Sequence, residues 1–193
     1  PLFAIDTIEH ADLSSGKVFV IFQSPSAAIN YTFLERLPDK KIIAMGPGTQ
    51  EALHEKGLDS TLPEKYSSTG IIKYLESDFN ANNVLIIKGE DGVNNIEEYI
   101  ARHGGDVESI SVYRRNVFED YTQIGNDYLN ADAIIFTSTM AVKIYFEKIY
   151  QNKVDTRFYS ISNRIKRKIQ EYGLKAITLD YFSDNLLDEI KST

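Results

Sequence analysis

Phe22-Gln23-Ser24-Pro25-Ser26-Ala27-Ala28 decides how this chain folds. It closes a β-branched and aromatic run, Val18–Phe22, with a serine–proline turn and opens a segment of helical apolar spacing, Ser26–Leu37. The pattern returns as Phe136-Thr137-Ser138-Thr139-Met140-Ala141-Val142. Two further blocks keep step with it. Met45 to Leu58, ending Glu55-Lys56-Gly57-Leu58, matches Ile161 to Leu174, ending Glu171-Tyr172-Gly173-Leu174. Tyr66-Ser67-Ser68-Thr69-Gly70-Ile71-Ile72 matches Tyr181-Phe182-Ser183-Asp184-Asn185-Leu186-Leu187. All three recur about 115 residues apart, and persistence of both order and spacing predicts two copies of one α/β domain.

Outward from these blocks, short apolar runs alternate with helical patterns. The strand candidates are Val18–Phe22, Ile42–Met45, Val84–Ile87, Val107–Val112, Ala133–Thr137, Arg157–Ile161 and Ala176–Leu179. Between them lie Ser26–Leu37, Thr49–Lys56, Thr69–Phe79, Val93–His103, Met140–Tyr150, Asn163–Tyr172 and Asp184–Lys191 with helical spacing. Such alternation implies parallel sheet with covering helices. The first copy continues into Val84–Gly89 and the helix Val93–His103, whereas the second stops after Asp184–Lys191. Pro1–Ile8 resembles the strand that follows such a unit, as Ile110–Asn116 does. A strand–helix unit of about 30 residues is therefore expected to be missing from the second domain, ahead of Pro1.

The composition narrows the chemistry. The chain has 193 residues, 42% hydrophobic and 25% charged, which suits one large or two small globular domains. It contains no cysteine, so disulfide scaffolds, thiolate nucleophiles and cysteine-ligated metals are excluded. The net charge of -7 argues against a broad nucleic-acid surface. No long apolar run suggests a membrane span, and no secretory signal pattern is present. His10, His54 and His103 are scattered, so no metal site is expected. Gly46-Pro47-Gly48 begins like a dinucleotide fingerprint, but Glu51 stands where the third glycine belongs. Neither a phosphate-binding Walker loop nor a nucleophile elbow occurs. No cofactor is expected.

What the sequence does contain is a set of strand-to-helix turns rich in Ser, Thr and Gly: Gln23-Ser24-Pro25-Ser26, Gly46-Pro47-Gly48-Thr49, Ser67-Ser68-Thr69-Gly70, Lys88-Gly89 and Thr137-Ser138-Thr139. Each offers backbone amides and a small hydroxyl at a helix N-terminus, where the macrodipole favours anions. For a single turn, plain helix capping is a sufficient account. The recurring set suits an anionic ligand.

Taken in order, Phe-x-Ser-x-x-Ala-Ala/Val after a strand, Ala44-Met45-Gly46-Pro47-Gly48-Thr49 with Gly57-Leu58, Ser68-Thr69-Gly70-Ile71-Ile72, Lys88-Gly89, Gly105-x-Val107 and Val112-Tyr113-Arg114 resemble the uroporphyrinogen-III synthases over almost the whole chain. The resemblance implies two similar Rossmann/flavodoxin-like parallel-sheet domains joined by a two-stranded connector. Glu9–Ser111 would be the complete domain, Glu119–Thr193 the incomplete one, and 1–8 with 112–118 the connectors. It implies closure of the linear tetrapyrrole hydroxymethylbilane to uroporphyrinogen III, with loss of water and inversion of ring D. It also implies a cytoplasmic monomer without cofactor or metal, in transient contact with hydroxymethylbilane synthase and with neither nucleic acid nor membrane.

By motif position, Ser24, Gly46, Thr49, Ser68, Thr69, Gly70, Lys88, Gly89 and Ser138 are the implied substrate contacts, and Tyr113 the residue that would assist departure of the hydroxyl. One departure stands out. In the second copy the Gly-x-x-Thr turn has become Ser162-Asn163-Arg164-Ile165. Two other readings fit the same turns: a non-catalytic two-lobed binding protein for a small anionic ligand, and an inactive relative serving as a partner protein.

Overall fold

Strand β2 (Phe19–Phe22) is buried at every residue, because helices cover both of its faces. Val20 and Phe22 pack with Ala27 and Ala28 of α1 (Pro25–Asn30) and with Ala52 and Leu53 of α2 (Pro47–His54). Phe19 and Ile21 pack instead with Ile71 and Leu75 of α3 (Ser68–Ser77) and with Ile96 and Ile100 of α4 (Asn95–Arg102). In β4 (Asn83–Gly89), Leu85 and Ile87 join the first layer, and Val84 and Ile86 the second. A strand buried on both faces reads as an unbroken apolar run, and Val84-Leu85-Ile86-Ile87 is such a run. The structure is a computed structural model that describes residues 2–77, 83–152, 155–181 and 183–192. It divides into two compact units, Ile5–Asn116 and Pro1–Ala4 with Val117–Thr193.

In the first unit β2 pairs in parallel with β3 (Lys41–Ala44) on one side and β4 on the other, and β4 pairs in parallel with β5 (Asp106–Val117). With β1 (Phe3–Thr7), the order across the sheet is β1-β5-β4-β2-β3. A parallel bridge from Ile43 to Thr61 adds the start of a further strand beyond β3. The helices after β2 and β3 cover one face, and those before and after β4 cover the other. The winding therefore reverses between β2 and β4, and open α/β sheets bind their ligands at the carboxyl ends of the strands beside such a reversal. At the opposite end of the sheet, Lys17 is buried and paired with Asp106 at 3.1 Å and Glu108 at 2.6 Å. Burial pushes its pKa down, but the two carboxylates outweigh that and hold it above the usual lysine value.

In the second unit β6 (Ala133–Phe136), β7 (Arg157–Ser160) and β8 (Ile177–Thr178) form a parallel sheet in that order. The helices are α5 (Thr122–Leu129), α6 (Thr139–Lys148), α7 (Asn163–Gln170) and α8 (Leu186–Ser192). Its core is aromatic: Phe136, Tyr145, Phe146 and Phe158 meet with ring centroids between 5.0 and 6.1 Å apart. The internal repeat survives in three dimensions. The bridge Ile43–Thr61 and the pair Tyr159–Ile177 fall at matching positions. Helices α2 and α7 both end on a left-handed glycine, Gly57 at φ 78° and Gly173 at φ 79°.

The mixed α/β class with parallel sheets is thus the one the alternation predicts. Two elements differ from expectation. The helix expected over Ser26–Leu37 stops at Asn30 and is followed by a 3-10 turn at Leu34–Arg36. Tyr31 leaves the helix in extended conformation (φ −76°, ψ 126°) and is buried against Phe22 and His10. Helix α5 has no counterpart in the sequence reading. Gly125 and Asn126 dilute its apolar stripe, and Asp120 secures its start by accepting from the Thr122 N–H at 2.9 Å. The stretches 1–8 and 112–118, read as extended connectors, contain β1 and the second half of the 12-residue β5, which join the first sheet. Phe79 of the expected third helix, Phe182 of the repeat, and the terminal residues Pro1 and Thr193 lie outside the described residues.

Candidate functional site

The carboxyl ends of β2, β4 and β5 bring three of the expected site residues into contact. Ser24 follows β2 in extended conformation (φ −163°, ψ 161°) and caps α1, its Oγ accepting from the Ala27 N–H at 3.1 Å. Pro25 takes the first helical position, where its fixed φ suits the turn and its missing N–H is not needed. At the end of β4 the register with β5 shifts: Lys88 faces Ser111, but Gly89 faces Tyr113. The irregularity skips Val112 and aims the Tyr113 side chain across the end of β4. A Cβ on Gly89 would lie 2.6 Å from Tyr113 Cζ, so only glycine lets the ring cross there. The Tyr113 hydroxyl then reaches Ser24 Oγ at 2.9 Å.

Tyr113 is 2% exposed, and Ser24 is half-buried. A fourth residue completes the corner. Arg115 donates from Nη2 to the Tyr113 hydroxyl oxygen at 3.0 Å, with its guanidinium carbon 5.3 Å from the centre of the tyrosine ring. The sequence reading did not single out Arg115. Strand periodicity was the available signal, since residues two apart share a face: Arg115 lies beside Tyr113, while Arg114 is exposed.

Lys88 sits on the same strand end but turns inward. Its ammonium is buried and bonded to Asn94 Oδ1 and Glu97 Oε1. Its charge is neutralised within the unit. Among the described residues, Glu97 Oε2 is buried without a hydrogen-bond partner. Gly92 supports this arrangement, because a Cβ there would lie 2.7 Å from Lys88 Cδ.

The remaining turns continue along the same edge. Gly46 caps α2 in extended conformation (φ −166°, ψ 176°) with no side-chain bond, and Pro47 follows it. A Cβ on Gly48 would touch Pro25 at 3.5 Å, and one on Gly46 would touch Tyr66 at 3.4 Å, so the turns after β2 and β3 and before α3 adjoin. Thr49 is buried on the core side of α2. At the start of α3, Ser67 rather than Ser68 provides the cap, accepting from the Gly70 N–H at 3.1 Å. Ser68 is half-buried and Thr69 exposed. Gly70 is tightly held: a Cβ there would fall 1.9 Å from the Lys65 carbonyl oxygen. Ser138 belongs to the second unit, where it caps α6 by accepting from the Ala141 N–H at 3.1 Å.

Among the described residues no group of three or more His, Asp or Glu could hold a metal ion. The corner offers hydroxyl donors, one guanidinium, and helix-start amides that attract carboxylates.

A family model described as uroporphyrinogen-III synthase HemD matches residues 7–187. The chain is also similar to the crystal structure of a uroporphyrinogen-III synthetase from Helicobacter pylori, with a TM-score of 0.73 and 17% identity over 99% of this chain and 90% of that one. A mutant uroporphyrinogen III synthase from Thermus thermophilus aligns at a TM-score of 0.63 and 15% identity, over 100% of this chain and 86% of that one. At these identities the two structures speak to the fold. A search of curated protein sequences gives no match. Because the family model spans 7–187 of the 193 residues, the chain belongs to the uroporphyrinogen-III synthase HemD family.

Proposed function

We propose that this chain carries out its family's reaction, closing hydroxymethylbilane to uroporphyrinogen III with loss of water and inversion of ring D, and that Ser24, Gly89 and Tyr113 mark the reacting end of the site. The substrate is already activated. Its pyrrole nitrogen pushes electrons toward the terminal hydroxymethyl carbon, the C–O bond breaks, and the oxygen leaves as water once it gains a proton. No covalent residue is required. The protein must orient a flexible polycarboxylate so that ring D closes in inverted form, since unassisted closure yields the uninverted isomer; this is an orientation effect. The helix-start amides after Ser24, Gly46 and Ser67 can receive acetate and propionate arms, and Ser68 and Thr69 offer hydroxyls. Gly46, Gly70 and Gly89 serve by letting backbone or ring approach closely. Thr49 and Lys88 are assigned a supporting role, Lys88 by fixing the β4 end through Glu97 and Asn94.

The observation that carries the assignment is the Tyr113 phenol lying over Gly89 and reaching Ser24 beside the winding reversal of the sheet. Among the described residues no helix is long and apolar enough to cross a membrane. A cytoplasmic, monomeric enzyme receiving its substrate directly from hydroxymethylbilane synthase completes the proposal, because fast hand-over limits unassisted closure. The test supplies freshly made hydroxymethylbilane, oxidises the products and separates isomers I and III. Isomer III in excess over the protein-free control is the expected result, and isomer I alone would overturn the assignment.

A further inference from the structure

We propose that Arg115 is a positioning residue acting through Tyr113, and that the hydroxyl presented to the departing oxygen is that of Ser24, at the open end of an Arg115–Tyr113–Ser24 hydrogen-bonded chain. This rests on the function proposed above. A guanidinium can only donate, so the Tyr113 oxygen must accept from Arg115 Nη2. Either hydroxyl can donate across the 2.9 Å between Tyr113 and Ser24 Oγ, and in the proposed chain the phenol is the donor. Ser24 Oγ has two lone pairs; one receives the Ala27 N–H and the other the phenol. In this arrangement its own proton has no partner among the described residues. Of the two hydroxyls, Tyr113 is 2% exposed and Ser24 half-buried, so the serine stands at the accessible end. The cation at the far end polarises the phenol, and the phenol polarises the serine.

The proton count closes. The C–O bond electrons leave on oxygen, Ser24 Oγ protonates that oxygen to water, and Tyr113 reprotonates Ser24. The phenolate so formed lies against the Arg115 guanidinium. It regains its proton when the azafulvene-forming ring releases the one on its nitrogen.

The experiment measures isomer III formation against pH for the wild type, Arg115→Met, Arg115→Lys and Arg114→Met. Alongside, the tyrosine Cζ resonances of 13C-labelled protein are recorded, Tyr113 being assigned from its loss in Tyr113→Phe. Arg115→Met is expected to lower kcat about tenfold or more with KM within about twofold. Arg115→Lys recovers much of the rate, and Arg114→Met keeps it. The Tyr113 resonance moves in Arg115→Met and in Ser24→Ala. An unchanged kcat, a change confined to KM, or an unmoved resonance would each overturn the chain of donors. If Arg115→Met fails to fold, as thermal melting would reveal, Arg115→Gln, which also removes the cation, carries the same two readouts. A wild type that makes only isomer I refutes the proposed function, whereas the resonances judge the hydrogen-bonded chain without reference to turnover.

Discussion

Ser24 and Ser138 hold the same place in two copies of one turn. Each is extended at the cap, and each accepts from the amide three residues ahead at 3.1 Å. Only Ser24 has a second hydroxyl beside it, brought by Tyr113 of β5; among the described residues Ser138 makes the cap bond alone. The next turn diverges in another way. Gly46 leaves the start of α2 without a side-chain cap, whereas Ser162 caps α7 by accepting from the Ile165 N–H at 3.4 Å. At the third turn, Gly70 is packed against the Lys65 backbone, while its repeat partner Asn185 is exposed. Local geometry is therefore shared by the two copies, and the chemistry depends on what lies alongside. In Ile5–Asn116 it is a four-strand parallel array ending in β5. In the second unit it is β6, β7 and β8 among the described residues.

The largest effect is expected where the copies differ in backbone contact. Gly70→Asn places a Cβ 1.9 Å from a carbonyl oxygen and should destabilise the protein by about 3 kcal/mol or more. The reverse change, Asn185→Gly, lies on an exposed segment and should stay within about 0.5 kcal/mol. Urea denaturation of both variants measures the difference; equal losses would break the comparison.

Next comes Gly89→Ala. Its methyl group would meet the Tyr113 ring, so about 1–3 kcal/mol of destabilisation is expected. Displacement of the phenol should slow isomer III formation by roughly 100-fold. A rate close to wild type would detach Tyr113 from the reaction. The paired variants Ser24→Ala and Ser138→Ala sharpen the contrast at lower energy. Each loses one helix cap and about 1 kcal/mol, but only Ser24→Ala should lower kcat. A similar loss of kcat from both would show that the second hydroxyl at Ser24 does not matter.

The smallest effect concerns pH. Burial pushes the Tyr145 phenol in the second unit up to about 12, and Tyr31 in the first is also raised by burial and by Asp12. A raised folded-state value means that the neutral phenol is favoured by folding. The contribution of Tyr145 is thus fully present below about pH 10, the unfolded tyrosine value, and fades as pH rises toward about 12. Tyr145→Phe should flatten this alkaline loss in denaturation curves recorded across that window. An unchanged slope would assign the alkaline sensitivity to other groups.

Much of the architecture is local and hence readable along the chain. The unbroken run Val84–Ile87, the helix caps at Ser24 and Ser138, and the helix ends at Gly57 and Gly173 each involve residues within about four positions of one another. Repetition of those signals in register was enough to give the α/β class and the family resemblance. Helix α5 and the early end of α1 escaped that reading, because the first has a weak stripe and the second is set by where Tyr31 finds its core. The candidate site was half legible. Motif position named Ser24, Gly89 and Tyr113, but gave no sign that Lys88 is neutralised by Glu97 or that Arg115 joins the phenol. The tertiary structure alone decided the meeting of Ser24 and Tyr113, which are 89 positions apart and touch where the register shift at Gly89 lets the ring cross the end of β4. Periodicity and capping act over a few residues, whereas a contact across three strand ends depends on register, which no single stretch of the chain encodes.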